Sequence, residues 1–142
     1  MKINILFLTT SLIFLSCKGF EDLDATMING QVTFDNKEIS ETCSNRLIVN
    51  DFWVQYVGDN ETKIAWSIIR ENSLNTKDRG FNFPLIYGIA PQGVKVSNPA
   101  IKLSPGKFNY SGTIVCTEEN NETGYEFVGR FTIDKKGNFS SE

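Results

Sequence analysis

FNYSGTIVCTEENNETGYEFVGRFTI, running from Phe108 to Ile133, decides how this chain folds. In its first half Phe108, Tyr110, Gly112, Ile114 and Cys116 fall on every second position. In its second half Tyr125, Phe127, Gly129, Phe131 and Ile133 do the same. A period of two lines up side chains on one face of a β-strand, whereas a helix would scatter them around its axis. Thr117 to Thr123 lies between the two runs and is polar and acidic, so the segment is expected to be a pair of antiparallel strands joined by a hairpin loop.

The same period recurs upstream. Ile28, Gly30, Val32 and Phe34 alternate with polar residues before the turn Asp35-Asn36-Lys37. Leu47 to Val49 and Phe52 to Val57 read as a strand with Phe52, Val54 and Tyr56 on one face, stopped by Gly58-Asp59-Asn60. Ile64, Trp66 and Ile68 form the next, followed by the polar stretch Glu71 to Gly80. Phe81, Phe83 and Leu85 to Tyr87 form another, in which Pro84 marks an edge or a bulge because it has no N–H to give to a ladder. Val94 to Val96 is short. No stretch of ten or more residues has helical spacing. About seven short strands separated by frequent turn signals predict an all-β sandwich.

Two fragments narrow that expectation. Leu103-Ser104-Pro105-Gly106-Lys107-Phe108 resembles the Leu-x-Pro-Gly-x-aromatic corner that precedes the penultimate strand of many immunoglobulin-like and fibronectin type III domains. The order Cys43, Trp53, Cys116 is similar to the immunoglobulin cysteine-tryptophan-cysteine arrangement, although Ile114 stands where a tyrosine is usual. The resemblance implies an immunoglobulin-like β-sandwich over residues 27–142.

The N-terminus reads differently. Lys2 precedes a largely apolar run from Ile3 to Leu15, and Phe14-Leu15-Ser16-Cys17 follows. These four residues resemble the lipobox of bacterial lipoproteins, which implies cleavage after residue 16 and acyl chains on Cys17. The run is too short for a transmembrane helix, which needs about 20 apolar residues. Cys17-Lys18-Gly19-Phe20-Glu21-Asp22 is similar to the lysine-then-acidic export signal of lipoproteins of the Bacteroidetes, with Gly19 and Phe20 interposed. The organisation expected is a signal peptide over 1–16, a lipidated cysteine with a flexible tether over 17–26, and the sandwich over 27–142, placed at the outer membrane.

Removing the leader and its Lys2 takes the net charge from −3 to −4 and leaves about 126 of the 142 residues, a common size for one domain. Cys43 and Cys116 then remain as an even pair in a compartment where disulfides persist, and a bridge between them is expected. Basic residues are scattered, with no cluster beyond Lys135-Lys136, so no nucleic-acid partner is expected.

The chain contains no histidine. That removes serine-histidine and cysteine-histidine pairs, histidine-ligated metal sites and the commonest general base at neutral pH. Glu118, Glu119, Glu122 and Glu126 are close enough in sequence for a glycosidase-like carboxylate pair, but the hairpin setting is expected to keep them hydrated. The oxygen-rich Thr117 to Glu122 loop lacks the ligand spacing of a calcium loop, and Asp134-Lys135-Lys136-Gly137-Asn138 reads as a turn. Trp53, Tyr56 and Trp66 offer a sugar-stacking platform, although core filling is the expected role. No metal, cofactor or catalytic residue is therefore expected.

What remains is a lipid-anchored, non-catalytic binding domain, held to the membrane through Cys17 and facing a protein partner. Gly30 to Thr33, Leu103 to Phe108 and Tyr125 to Ile133 resemble small β-domain lipoproteins described as immunity proteins of type VI secretion systems. That resemblance implies occlusion of a secreted toxin, and the acidic charge suits a basic partner. Alternatives are an accessory subunit of an outer-membrane assembly and a surface carbohydrate-binding module. By residue type and loop position, Arg79 and Phe81 beside the Glu71 to Gly80 loop are the expected binding residues.

Overall fold

The computed structural model describes residues 21–44, 46–71, 80–118 and 121–142. Among them are nine strands and one short helix: β1 (Asp24–Ile28), β2 (Gln31–Asp35), α1 (Lys37–Thr42), β3 (Leu47–Val57), β4 (Thr62–Arg70), β5 (Leu85–Ile86), β6 (Val94–Asn98), β7 (Gly106–Glu118), β8 (Asn121–Ile133) and β9 (Phe139–Ser141). They form two antiparallel sheets, a three-stranded one in the order β1-β2-β5 and a six-stranded one in the order β6-β4-β3-β7-β8-β9.

The alternation in 108–133 becomes the spine of the larger sheet. β7 and β8 pair without a break from Gly106↔Ile133 to Glu118↔Asn121. Phe108, Tyr110, Ile114, Cys116, Phe127, Phe131 and Ile133 all turn inward and are buried. The ladder runs further than the sequence predicts, because Thr117, Glu118, Glu122 and Thr123 belong to the strands rather than to a loop.

β3 lies on the other side of β7 and carries β4 beyond it. Between Val54↔Trp66 and Gln55↔Ile64 the ladder shifts, leaving Ala65 as an extra residue. The bulge breaks the expected Ile64-Trp66-Ile68 face: Ala65, Trp66 and Ile68 are buried, and Ile64 is turned outward. The freed Ala65 carbonyl accepts from the Ile101 N–H and the Tyr87 hydroxyl, both at 2.9 Å.

The first expected strand is in fact a hairpin. Asn29 and Gly30 have φ of 52° and 77° and connect Ile28 to Gln31, the left-handed pair that a two-residue hairpin turn requires. Asn36, expected in a turn, caps α1: its Oδ1 accepts from the Ile39 N–H at 2.8 Å, and its amide donates to the Asp22 carbonyl at 2.7 Å. The expected strand at 81–87 shrinks to β5 plus an isolated bridge from Phe81 to Leu47, with Pro84 lying before β5.

The two sheets meet over an aromatic core. The Phe34 ring, from the small sheet, lies 5.0 Å from Phe52 and 4.9 Å from Tyr110 of the large one. Phe108 and Phe131 stack at 4.9 Å across β7 and β8. Cys43, just past α1, is bonded to Cys116 of β7 with Cα atoms 5.9 Å apart, so the expected disulfide is present. It closes a loop of 73 residues, worth about 4 kcal/mol in the chain-entropy picture.

The domain starts earlier than 27. Leu23 and Ala25 are buried, β1 begins at Asp24, and the Glu21 N–H donates to the Glu126 carbonyl at 2.9 Å. Residues 21–26, read as tether from their charge, are part of the fold because apolar residues alternate with the acidic ones.

Candidate binding surface

One face of the six-stranded sheet covers the core and the other faces outward. On the outward face, Trp53 of β3 pairs with Ser67 of β4 on one side and Ser111 of β7 on the other, and Ser111 pairs with Val128 of β8. One row away Ile69 and Thr113 flank Asp51, and on the opposite side Ile64 and Asn109 flank Gln55. Trp53, Ile64, Ile69 and Val128 are 37%, 38%, 37% and 47% exposed. The result is a broad surface of large apolar side chains set among hydroxyls, amides and the charged groups of Asp51, Glu126 and Arg130.

The phase of the strand places Trp53 there. Phe52 and Val54 point into the core, so the residue between them points out. Trp66, in the opposite phase and next to the Ala65 bulge, is fully buried against Phe52 and Tyr87. Its Nε1–H has no hydrogen-bond partner among the described residues. Tyr56 is half-buried and packs edge-on against Phe108. The three aromatics therefore do not form one platform: Trp66 fills the core and Trp53 stands apart on the surface.

Phe81 is 8% exposed, in edge contact with Phe83, with its N–H donating to the Leu47 carbonyl at 2.8 Å. It is a core residue that seals the end of β3, so the expectation of an exposed binding aromatic is corrected. Arg79 and Cys17 lie outside the described residues.

The hairpin carboxylates are held by arginines rather than left as a free acidic tip. Glu122 accepts two hydrogen bonds from Arg70, at 2.8 and 3.2 Å, and Glu118 pairs with Arg46 at 3.3 Å. The Arg70 hydrogen bonds hold the Glu122 carboxyl below the usual carboxylate range and raise the guanidinium in return. A general acid needs the opposite shift. Glu126 faces out beside Thr113, and Glu119 lies outside the described residues. Asp134 closes its turn by accepting from the Lys136 and Asn138 backbone N–H groups, both at 2.8 Å, as the turn reading anticipates. Among the described residues no group of three or more acidic or cysteine side chains is placed to hold a metal, and no helix is long and apolar enough to cross a membrane.

Among the described residues Tyr110 and Tyr87 are the strongly shifted groups. Burial pushes the Tyr110 hydroxyl up to about 12, with the charges of Asp24 and Asp22 adding to it. Burial likewise pushes Tyr87 up to about 12, against a hydrogen bond involving the Ile101 backbone. Both hydroxyls donate to main-chain carbonyls, Tyr110 to Leu23 at 2.5 Å and Tyr87 with its single proton shared between Ile101 at 2.8 Å and Ala65 at 2.9 Å, and serve as struts between segments. Comparison of the chain with family models, with curated proteins and with solved structures finds no match.

Proposed function

We propose that this is a lipid-anchored, non-catalytic binding domain whose protein partner docks on the outward face of the six-stranded sheet. The observation that carries the reading is Trp53, a large aromatic set among Ile64, Ile69 and Val128, with Ser111, Gln55 and Asn109 beside it and the charged Asp51, Glu126 and Arg130 on the same face. Tryptophan at the centre of an apolar patch rimmed by polar groups is the composition of an interface hot spot. Sugar binding has weaker support, because Trp66 and Tyr56 are packed away from Trp53.

Anchoring rests on the lipobox-like Phe14 to Cys17. On that reading the chain from Cys17 to Glu21, the first described residue, reaches at most about 14 Å even when extended. The sandwich would then sit close to the lipid surface. The narrower proposal is immunity, in which the partner is a secreted toxin and binding occludes its active site; the charge of the chain, −3 overall, favours a basic toxin.

Within the sandwich class, the Leu103 to Phe108 corner leading into β7 supports kinship with immunoglobulin-like domains. The strand order and the outward position of Trp53, away from the core, speak against it.

The test is capture of partners from envelope and supernatant fractions by the full chain in detergent, run in parallel with Trp53→Ala. A partner held by the wild type should be lost or bound at least tenfold more weakly by the variant, about 1.4 kcal/mol. Equal capture by both proteins would remove the Trp53 face as the binding surface. Cys17→Ser should abolish lipid labelling, and retention of labelled lipid would remove the anchor.

A further inference from the structure

The outward face of the six-stranded sheet is matched about one line. That line is the row Trp53, Ser111 and Val128, which crosses β3, β7 and β8. One strand repeat, about 7 Å, to one side of it stand Asp51, Thr113 and Glu126, and equally far to the other stand Gln55, Asn109 and Arg130. On β4 the Ala65 bulge brings Ile64 level with Gln55, while Ile69 is level with Asp51. Each strand therefore carries a couple placed symmetrically about the row: isoleucine with isoleucine on β4, a carboxylate with an amide on β3, a hydroxyl with an amide on β7, and a carboxylate with a guanidinium on β8. Glu126 and Arg130 are exposed, and neither belongs to the ion pairs of the described residues, Arg46–Glu118 and Arg70–Glu122.

We infer that this face binds a second copy of the chain, with a two-fold axis running along the Trp53–Ser111–Val128 row. An axis that lies between two facing sheets and crosses their strands sets each strand opposite its own counterpart and exchanges the two sides of the row. Glu126 of each copy then meets Arg130 of the other, Asp51 meets Gln55, Ile69 meets Ile64, and Trp53 and Val128 lie against their own counterparts. Facing sheets pack about 10 Å apart, a gap that the long side chains of Glu126 and Arg130 can bridge. An axis along the strands fails, because it would turn Glu126 towards Asp51 of the second copy, like charge against like.

The place where Glu21 joins the sheet fits the same axis. Glu21 bridges Phe127 at the outer edge of β8, one residue from Val128. Rotation about the row keeps that edge at the same end of the axis, so both copies present Glu21 on one side, and on the anchored reading both lipids reach one membrane. The contact is small: four strands by three rows cover roughly 20 Å by 20 Å, less than the ~800 Å² each partner gives to a standard interface. Self-pairing is therefore reversible, favoured where anchors confine two copies to one surface and lost on dilution. The inference rests on the reading of this face as a protein-binding surface and names its occupant.

The test is sedimentation equilibrium of the full chain in density-matched detergent, over a concentration series. A reversible monomer–dimer equilibrium is expected. Glu126→Arg should weaken dimerisation roughly tenfold or more, because it sets two cations face to face, and Trp53→Ala should do the same. Glu126→Arg/Arg130→Glu should restore the dimer, since the swap inverts the pair and keeps the match. Both residues are exposed, so these variants should keep their fold, and restoration by the swap is a result that a misfolded variant cannot give. A monomer at every concentration, a dimer indifferent to Glu126→Arg, or a swap that fails to restore it overturns the two-fold. A monomeric wild type whose partner capture is still lost in Trp53→Ala would sink self-pairing alone. A dimer with the expected charge behaviour, alongside partner capture that ignores Trp53→Ala, would sink the docking of a different partner alone.

Discussion

Tyr110 reaches Leu23 only because the residue opposite it on β8 has no side chain. A Cβ at Gly129 would run into the ring and hydroxyl of Tyr110. Gly129→Ala forces that ring aside and strains the strut to Leu23, so it should destabilise the domain by about 2 kcal/mol, the range for overpacked cores, read from denaturant midpoints. A midpoint equal to wild type would mean the ring moves freely. The hydroxyls of Tyr110 and Tyr87 also set an alkaline limit. Their folded values are raised to about 12, above the ordinary 10. The unfolded chain thus loses these protons first, and the stability they contribute is complete below about pH 10 and disappears as pH rises through about 12. Stability should fall across that window, and Tyr110→Phe should make the fall shallower at a cost of about 1 kcal/mol at neutral pH. An unchanged slope in the variant would contradict the assignment.

The hairpin of β7 and β8 is clipped to its neighbours near the tip by Arg70–Glu122 and Arg46–Glu118. Both pairs are partly exposed, so Glu122→Gln should cost no more than about 1 kcal/mol and leave partner binding intact. A loss of activity from that one change, with fold and binding preserved, would demand a catalytic reading instead. The long strands were legible because alternation in 108–133 runs for whole strands and each buried face is apolar. What escaped was shorter or locally irregular. Asn29-Gly30 is a strong hairpin signal, but it sits inside an alternation that reads straight through it. The Ala65 bulge changes phase in mid-strand, which no count of apolar positions reveals. Residues 21–26 look like tether by charge, yet Leu23 and Ala25 fall on a buried face. For the site, the phase of Phe52 and Val54 already sends Trp53 outward. Grouping it with Trp66 by residue type hid this, and judging Phe81 by loop position hid its place under β3.

At the scale of the whole molecule, the disulfide ties the helical connection after β2 to the middle of the larger sheet, so it restrains how the layers part. Cys116→Ala should therefore lower stability by a few kcal/mol, measured by denaturation under non-reducing conditions; an unchanged midpoint would mean the layers hold without it. The central claim is that the outward face around Trp53 meets the partner, and the chain's two tryptophans make it directly observable. Trp53 is open to solvent and Trp66 is not, so acrylamide should quench one emission component and spare the other. Trp53→Phe assigns the quenchable one. With saturating captured partner, the Trp53 component should become inaccessible to acrylamide and shift to the blue. Quenching that is the same with and without bound partner would contradict the claim.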